Sequence, residues 1–460
     1  MNQRIKPIFW LVTLTLLAVF TLLTSLSTAQ TDRPVAQSPF PAGQPSLGGK
    51  PSDHRVGANA VIPIEKQSDA GSQLRRNSVN ESMQAALARS PYTYGNRLPA
   101  GNFTLTYFGD SNSIDANPGD GICADPDGAC GLRAAVMEAN ALDPGTFINI
   151  PADATITLTR AGVDENSAAT GDLDITNSMT ILGGSALTTI INGGGIDRVF
   201  DVWNGVVDIK NLSITGGDAT LSANGFEELN GGAVWLNCTA DLLLQDVNIY
   251  DNIAAQGAGV FVGYVCDDAV NLLYVVESAI FSNDASDAVG GLHGVQGADV
   301  ELYNTTISSN TSLDFNAGLS IEDVDGFIPA LIANNVTVAD NRTTSEWGES
   351  AGIFAYGGTF DFNNSIAAYN NYGAGFIRND CGVRADAFML TDEDNVFVNI
   401  GTCVEGATDL VDPSLDLGVI VLNAPGTTHT NALPLGSSAI DWDFDACLPF
   451  DQRGVTRPQG

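Results

Sequence analysis

One motif recurs down the middle of this chain: apolar-x-x-apolar-x-apolar-x-x-Asn. Leu244 to Asn252, Leu302 to Asn310, Asn334 to Asn341 and Phe362 to Asn370 are copies, and Ile280 to Asn283 belongs to a weaker one. An earlier copy, Ile209 to Gly217, has Gly in the Asn place. The closing residues Gly217, Asn252, Asn283, Asn310, Asn341 and Asn370 are 35, 31, 27, 31 and 29 apart. Most copies are followed by a Gly-rich strand start, such as Gly231-Gly232-Ala233-Val234-Trp235 or Gly257-Ala258-Gly259-Val260-Phe261. Each unit is therefore strand and turn, with no helical period. A globular parallel sheet needs helical crossovers between its strands, and this pattern holds none. Tandem units too small to bury an apolar face alone must stack. The expectation is an all-β fold, a solenoid of parallel strands.

The repeated asparagines fit a structural role better than ligand binding. Asn tolerates the left-handed backbone of a sharp corner. Stacked one above another, amides can hydrogen-bond as a ladder, expected here over Asn252, Asn283, Asn310, Asn341 and Asn370. The cysteines offer a check. Cys238 and Cys266 are 28 residues apart, close to one repeat. Adjacent rungs lie ~4.8 Å apart, and a disulfide accepts a Cα–Cα distance of ~4.4–6.8 Å. The repeat therefore predicts a Cys238–Cys266 bond. Runs at Phe147–Ile150, Thr155–Leu158, Leu173–Ile175, Met179–Leu182, Thr189–Ile191 and Val199–Val202 read as earlier rungs.

A β-coil has open ends that must be covered. The one convincing helical pattern sits where a cap belongs. Leu132, Ala135, Val136, Ala139 and Leu142 fall on one helical face, and Asp143-Pro144-Gly145 stops it. Cys130 directly precedes this helix, with Cys123 close enough to tie the entry loop. The stretch Cys130-Gly131-Leu132-Arg133-Ala134-Ala135-Val136-Met137-Glu138-Ala139-Asn140 resembles the CSLREA motif of secreted bacterial β-helix proteins, with Gly131 for Ser and Ala134 for Glu. The tail, Gly436 to Asp441, then Cys447, then Asp451-Gln452-Arg453-Gly454-Val455-Thr456-Arg457-Pro458, resembles the end of a choice-of-anchor Q domain. The resemblance implies a right-handed parallel β-helix of the pectin-lyase type, exported and held at or shed from the cell surface. It implies structural roles for Arg133, Arg453 and Arg457, and a Cys381–Cys403 staple in a C-terminal cap. The family pattern runs on into a further Cys, so a truncated tail would account for the odd Cys447.

Residues 1–29 read as a secretory signal: Arg4 and Lys6, an apolar stretch from Ile8 to Leu23, and small residues Ser27 and Ala29 before a cut at Gln30. No Cys follows the apolar stretch, which excludes a lipid anchor there. No second apolar segment of ~20 residues exists to span a membrane as a helix. Residues 30–100 read as a flexible linker. The expected layout is then a cap at 101–145, the β-helix at 146–380 and a C-terminal cap at 381–460. Of 73 charged residues, 19 are Lys or Arg and 54 are Asp or Glu, a net charge of −35. Residues 1–100 carry +5 of this and the remainder −40. That excludes a nucleic-acid partner bound through a basic surface and disfavours adhesion to anionic lipid. Seven cysteines with no C-x-x-C pair and only three histidines argue against zinc.

Carboxylates are abundant and bases are scarce. A uronate lyase needs a base to remove a proton, and an acidic surface repels uronates. Glycoside hydrolysis needs carboxylates at set spacing, and no paired-Asp motif stands out. Asp110, Asp115, Asp120, Asp125 and Asp127 crowd the loop before the cap helix, and such hard oxygen ligands suit Ca²⁺. Their spacing departs from the known Ca²⁺ loop, and turn formation is the plainer reading; Glu322 to Gly326 is a shorter acidic loop of the same kind. Trp203, Trp235, Trp347 and Trp442 offer sugar-stacking faces or core filling. The reading is a monomeric, non-catalytic surface scaffold for adhesion or for binding carbohydrate or matrix, with no cofactor beyond the Ca²⁺ considered. The alternative is a polysaccharide lyase or glycoside hydrolase of the same fold. A scaffold should present a shallow aromatic or acidic face; an enzyme should present a groove where Arg, Lys or His meets clustered Asp.

Overall fold

The computed structural model describes Gln84 and residues 101–457, apart from 223–224, 226, 264–270, 325, 346–349, 385–386 and 443–446. The expected signal, almost all of the linker and Cys266 lie outside the described residues, and the Cys238–Cys266 bond with them.

Strands dominate, and nearly all pair in parallel. Each rung of this β-solenoid runs through three faces and then a short fourth. The first face stacks Leu173–Ile175, Val260–Val262, Leu292–Val295, Leu319–Glu322, Ile353–Tyr356 and Cys381–Val383. The second includes Thr146–Asn149, Met179–Leu182, Leu272–Val276, Asp299–Tyr303 and Ala330–Asn334. The third includes Ile190–Asn192, Ala279–Phe281, Thr306–Ser308 and Thr337–Ala339. In two rungs a single bent strand, Phe200–Thr215 or Val234–Tyr250, crosses all three faces. The fourth face, Ile253–Gln256, Asp284–Ala288 and Thr311–Asp314, forms its own sheet.

Alternation along each strand sends one side chain in and the next out. Inward residues stack in columns: Val260 pairs with Val234 and Leu292, and Leu292 with Leu319. They belong to one buried apolar core that runs from Phe103 to Cys403. Each fully buried Val, Leu, Ile or Phe contributes about 1.5–3 kcal/mol against exposure.

The corner between third and fourth faces carries the repeated asparagines, and they do form a ladder. Asn252 Nδ2 donates to Asn283 Oδ1 (2.9 Å), Asn283 to Asn310 (3.0 Å), Asn310 to Asn341 (3.0 Å) and Asn341 to Asn370 (2.9 Å). Each acceptor oxygen also takes a backbone N–H from the rung before, at 2.9–3.2 Å. Each Nδ2 also donates to an older rung, as Asn310 does to the Ile280 carbonyl at 3.0 Å. All five are fully buried. The column ends on Asp380, whose Oδ1 accepts both the backbone N–H and Nδ2 of Asn370. A carboxylate suits that end because it needs nothing further to donate to. Gly217 opens the column, because a Cβ there would strike the Gly232 carbonyl. One detail corrects the sequence reading. The left-handed residue at the corner is the one before each Asn: Asp251, Ser282, Ser309, Asp340 and Tyr369 have positive φ, and the asparagines do not. The amide's work is lateral hydrogen bonding.

At the N-terminal end the helix Leu132–Ala141 buries Leu132, Ala135, Val136 and Ala139 against the first rungs. Cys123 and Cys130 are disulfide-bonded just ahead of it. At the other end, strands continue past residue 380 to Leu410–Val411, with Cys381 bonded to Cys403. The chain then turns back. A hairpin, Ile420–Leu422 with His429–Asn431, and the segment Leu448–Arg457 lie along the outside of the rungs. Leu448 packs among Leu243, Leu272, Tyr274, Val276 and Tyr303. Asn304 Nδ2 donates to the Phe450 carbonyl at 3.1 Å, and the Leu448 amide donates to Asn335 Oδ1 at 2.9 Å. Among the described residues no helix is long and apolar enough to cross a membrane.

Candidate functional site

The outward middle positions of the first face fall in strict register: Asp174, Asp201, Trp235, Phe261, His293, Ser320, Phe354 and Gly382. The chemistry collects at the N-terminal end of this column. Carboxylate oxygens of Asp172, Asp174 and Asp201 lie within 4.8 Å of one another. Only 3%, 0% and 2% of these residues is exposed, so the cluster is closed to solvent. Arg198 enters it, with Nη1 2.9 Å from Asp201 Oδ2 and 3.5 Å from Asp172 Oδ2. Its Nη2 donates to the Glu228 carbonyl at 2.5 Å, and its guanidinium carbon lies 4.7 Å from the Trp235 ring centroid.

The cap helix sets the backbone that carries these acids. Arg133 donates through Nη1 to the carbonyls of Asp172 (2.8 Å) and Ala168 (2.9 Å), and through Nη2 to that of Gly171 (2.8 Å). Its Nε is paired with Asp110 at 2.8 Å. Asn140 Nδ2 donates to the Asp174 carbonyl at 2.8 Å. The Ala168 amide donates to Asp174 Oδ2 at 2.7 Å. Asp174 Oδ1 and Arg198 Nε are buried with no hydrogen-bond partner among the described residues, and the Trp203 side chain lies against Asp201. Burial drives the acids toward protonation. It pushes Asp172 well above the usual carboxylate range against the pull of Arg198, Asp174 up to about 8 and Asp201 up to about 6.

Further along the column His293 is buried, its Nε2 3.3 Å from Glu322 Oε1, with its ring edge-on to Phe261. Burial alone would raise the Glu322 carboxyl, but His293, Ser320 and Arg384 hold it below the ordinary range. Beside it Tyr356 is 39% exposed, with the Arg384 guanidinium 4.9 Å from its ring centroid. Phe327 and Ile328 are exposed nearby in sequence to this acidic loop.

The five loop aspartates do not come together as a cation site. Asp110 binds Arg133 and the amides of Thr159 and Arg160. Asp115 accepts from the amides of Asn117 and Ala124, Asp120 from Ile122, and Asp125 from Asp127 and Ala129. Asp127 accepts from Asn112. These are turn and loop formers, and among the described residues the cluster of three close ligands is Asp172, Asp174 and Asp201 instead. Trp235 is buried and Trp203 half-buried, their ring centroids 6.3 Å apart. Trp442 is partly exposed, with its indole N–H on the Thr408 carbonyl; Trp347 lies outside the described residues. Arg453 pairs with Asp451, and Arg457 donates to Asn304 and to the Phe450 carbonyl, so both serve the tail.

The carboxylate cluster was legible only as Asp172-Leu173-Asp174 and Arg198-Val199-Phe200-Asp201, two apparently independent stretches. Setting Leu173 against Phe200 joins them, and that register is a product of the fold. An Arg among clustered Asp matches the charge pattern expected of an enzyme. Access does not match, because a polymer cannot reach three enclosed carboxylates. Comparison with family models, with curated proteins and with solved structures yields no match.

Proposed function

We propose that this chain is an exported, non-catalytic β-helix scaffold that presents an outer face to polysaccharide or matrix. The observation that carries the reading is enclosure: among the described residues the group of three closely set acids, with Arg198 in it, is shut inside the wall of the solenoid. What the outer surface offers instead is a regular flank with scattered aromatic and charged groups. Tyr356 beside Arg384 and Glu322 is the best sugar platform on it, since a ring face stacks on a sugar and the flanking charges bind hydroxyls. Export is supported by the apolar leader and by two disulfides, which persist in oxidising compartments. The CSLREA-like segment supports a place among surface β-helix proteins, because its Arg133 and Asn140 do the structural work of a cap.

The test is a glycan array run on the secreted chain, with lyase and hydrolase assays in parallel, each with and without Ca²⁺. The expected result is retention of a glycan class without turnover, and loss of most of that retention in Tyr356→Ala. Turnover of any polysaccharide would replace this reading with the enzymatic one.

A further inference from the structure

We propose that Asp172, Asp174 and Asp201 form a binding site for one divalent, oxygen-preferring cation of the Ca²⁺ class, which joins the N-terminal cap to the first rungs of the solenoid. Three observations converge. The carboxylate oxygens approach within 4.8 Å of one another, close enough for a single ion to touch all three. Asp174 Oδ1 is buried and has no donor among the described residues, while Asp201 has the Trp203 side chain beside it. A carboxylate oxygen removed from water without a donor is costly. The third observation is charge. Three carboxylates face the single guanidinium of Arg198, which is itself shared with the nearby Glu228. Buried Asp197 brings a fourth carboxylate to the same guanidinium, so the formal deficit is three, and one divalent ion removes most of it. A water molecule could satisfy the bare oxygen but would leave the charge.

The donor set selects the ion. It holds carboxylate oxygen alone, with no imidazole nitrogen or thiolate, and so suits Ca²⁺ or Mg²⁺ over zinc or copper. The site is also held in advance of any ligand. Arg133 grips the carbonyl of Asp172, Asn140 that of Asp174, and the Ala168 amide one oxygen of Asp174. Asp201 comes from the following rung, paired directly opposite Asp174. An ion there bridges a loop positioned by the cap helix to the strand that begins at Phe200. The two roles of the cap motif then become one: its Arg and Asn close the end of the solenoid and aim the ligands.

The test uses the full secreted chain, stripped with EDTA and titrated with CaCl₂ by calorimetry, with TbCl₃ luminescence as a second readout. Asp201 is paired with Trp235, so a Tb³⁺ ion in this cluster should light up on indole excitation. The expected results are one strong site per chain, a Ca²⁺-dependent rise in Tm, and Tb³⁺ emission that Ca²⁺ displaces. Asp174→Asn and Asp201→Asn should each weaken binding about tenfold or more. Asp115→Asn and Asp125→Asn, in the turn-forming loop, should leave it unchanged. Binding of Mg²⁺ at the same residues supports the site equally. If the cluster variants do not fold, the Trp203→Phe/Trp235→Phe double variant decides, since it removes both indoles beside the cluster and leaves every carboxylate ligand in place. The proposal is overturned if the stripped chain binds neither Ca²⁺ nor Mg²⁺ at millimolar concentration. It is overturned equally if binding survives both Asn substitutions, or if Tb³⁺ emission is absent or indifferent to the double Trp203→Phe/Trp235→Phe change; protons would then be what neutralises the cluster.

Discussion

Two buried polar systems lie within one solenoid wall, and they differ in a single respect. In the asparagine column every amide gives and takes hydrogen bonds, and neutral groups stack from Asn252 to Asn370 with an acid only at the end. In the first-face cluster three acids meet one base, and a carboxylate oxygen is left bare. Both are equally enclosed. Enclosure therefore does not separate structure from function here. Completeness does: a buried network that satisfies itself is scaffolding, and one that falls short by charge and by donors has room for a partner.

The largest expected effect comes from cutting the link between cap and cluster. Arg133→Met leaves Asp110 buried without its guanidinium and frees the carbonyls of Gly171 and Asp172. Breaking a buried ion pair costs about 3–5 kcal/mol, so chemical denaturation should show a loss of that order. Cation binding should fall with it. An unchanged midpoint would mean the cap motif is not what holds the cluster.

Next in size is the column itself. Asn310→Ala strips the partners from the Asn283 amides and the Ile280 carbonyl, all buried. Each orphaned group costs about 1–3 kcal/mol, so a loss of at least about 3 kcal/mol is expected by urea unfolding, independent of Ca²⁺. A Ca²⁺-dependent loss would break the contrast between the two systems.

A third group of acids lies between these extremes, half-buried under the returning tail. Burial, with the charges of Asp246 and Asp451, raises Glu277 from 4.5 to about 7. Lys210 and Arg453 face the same acids from the solenoid and the tail. Because the folded value is raised, the protonated acid favours docking. The contribution is complete below pH 4.5 and is lost as pH rises through about 7. Burial lowers His429, which is therefore neutral over the upper part of that window. Amide exchange at His429, whose N–H is donated to Asn248, should speed up between about pH 4.5 and about pH 7 beyond the intrinsic change and level off above that. Glu277→Gln should remove the extra change; a pH response that survives it would assign the effect elsewhere.

The smallest effect separates neighbours in sequence. Ser282 holds the left-handed backbone and Asn283 holds the ladder. Ser282→Gly should be neutral or stabilising by up to about 1 kcal/mol, while Asn283→Gly should destabilise severely. Equal losses at both would return the corner's conformational role to the asparagine.

Much of this was readable before any coordinates. The spacing of Asn252 to Asn370 required stacking, and the helical face from Leu132 to Ala139 named the cap, because both signals are local or periodic. What remained hidden depends on register between rungs. Asp174 and Asp201 look unrelated until Leu173 is set against Phe200. The five acids before the cap helix attracted a cation reading by density alone, yet each is occupied by amides or by Arg133. The path of the tail was hidden for the same reason: nothing between Asp416 and Arg457 repeats, so no period points to the flank on which Leu448 lies.

Stacking in register is the claim on which the ladder, the cluster and the cap all rest, and the cysteine pairing tests it most directly. On either side of Cys238, within the bent strand Val234–Tyr250, Leu236 pairs with Val262 and Asp241 with Leu272. Those offsets bracket the one that separates Cys238 from Cys266. Peptide mapping of the unreduced full-length chain should therefore recover a Cys238–Cys266 linked pair beside Cys123–Cys130 and Cys381–Cys403. Recovery of Cys238 or Cys266 joined to Cys447 would place those rungs out of register and contradict the account.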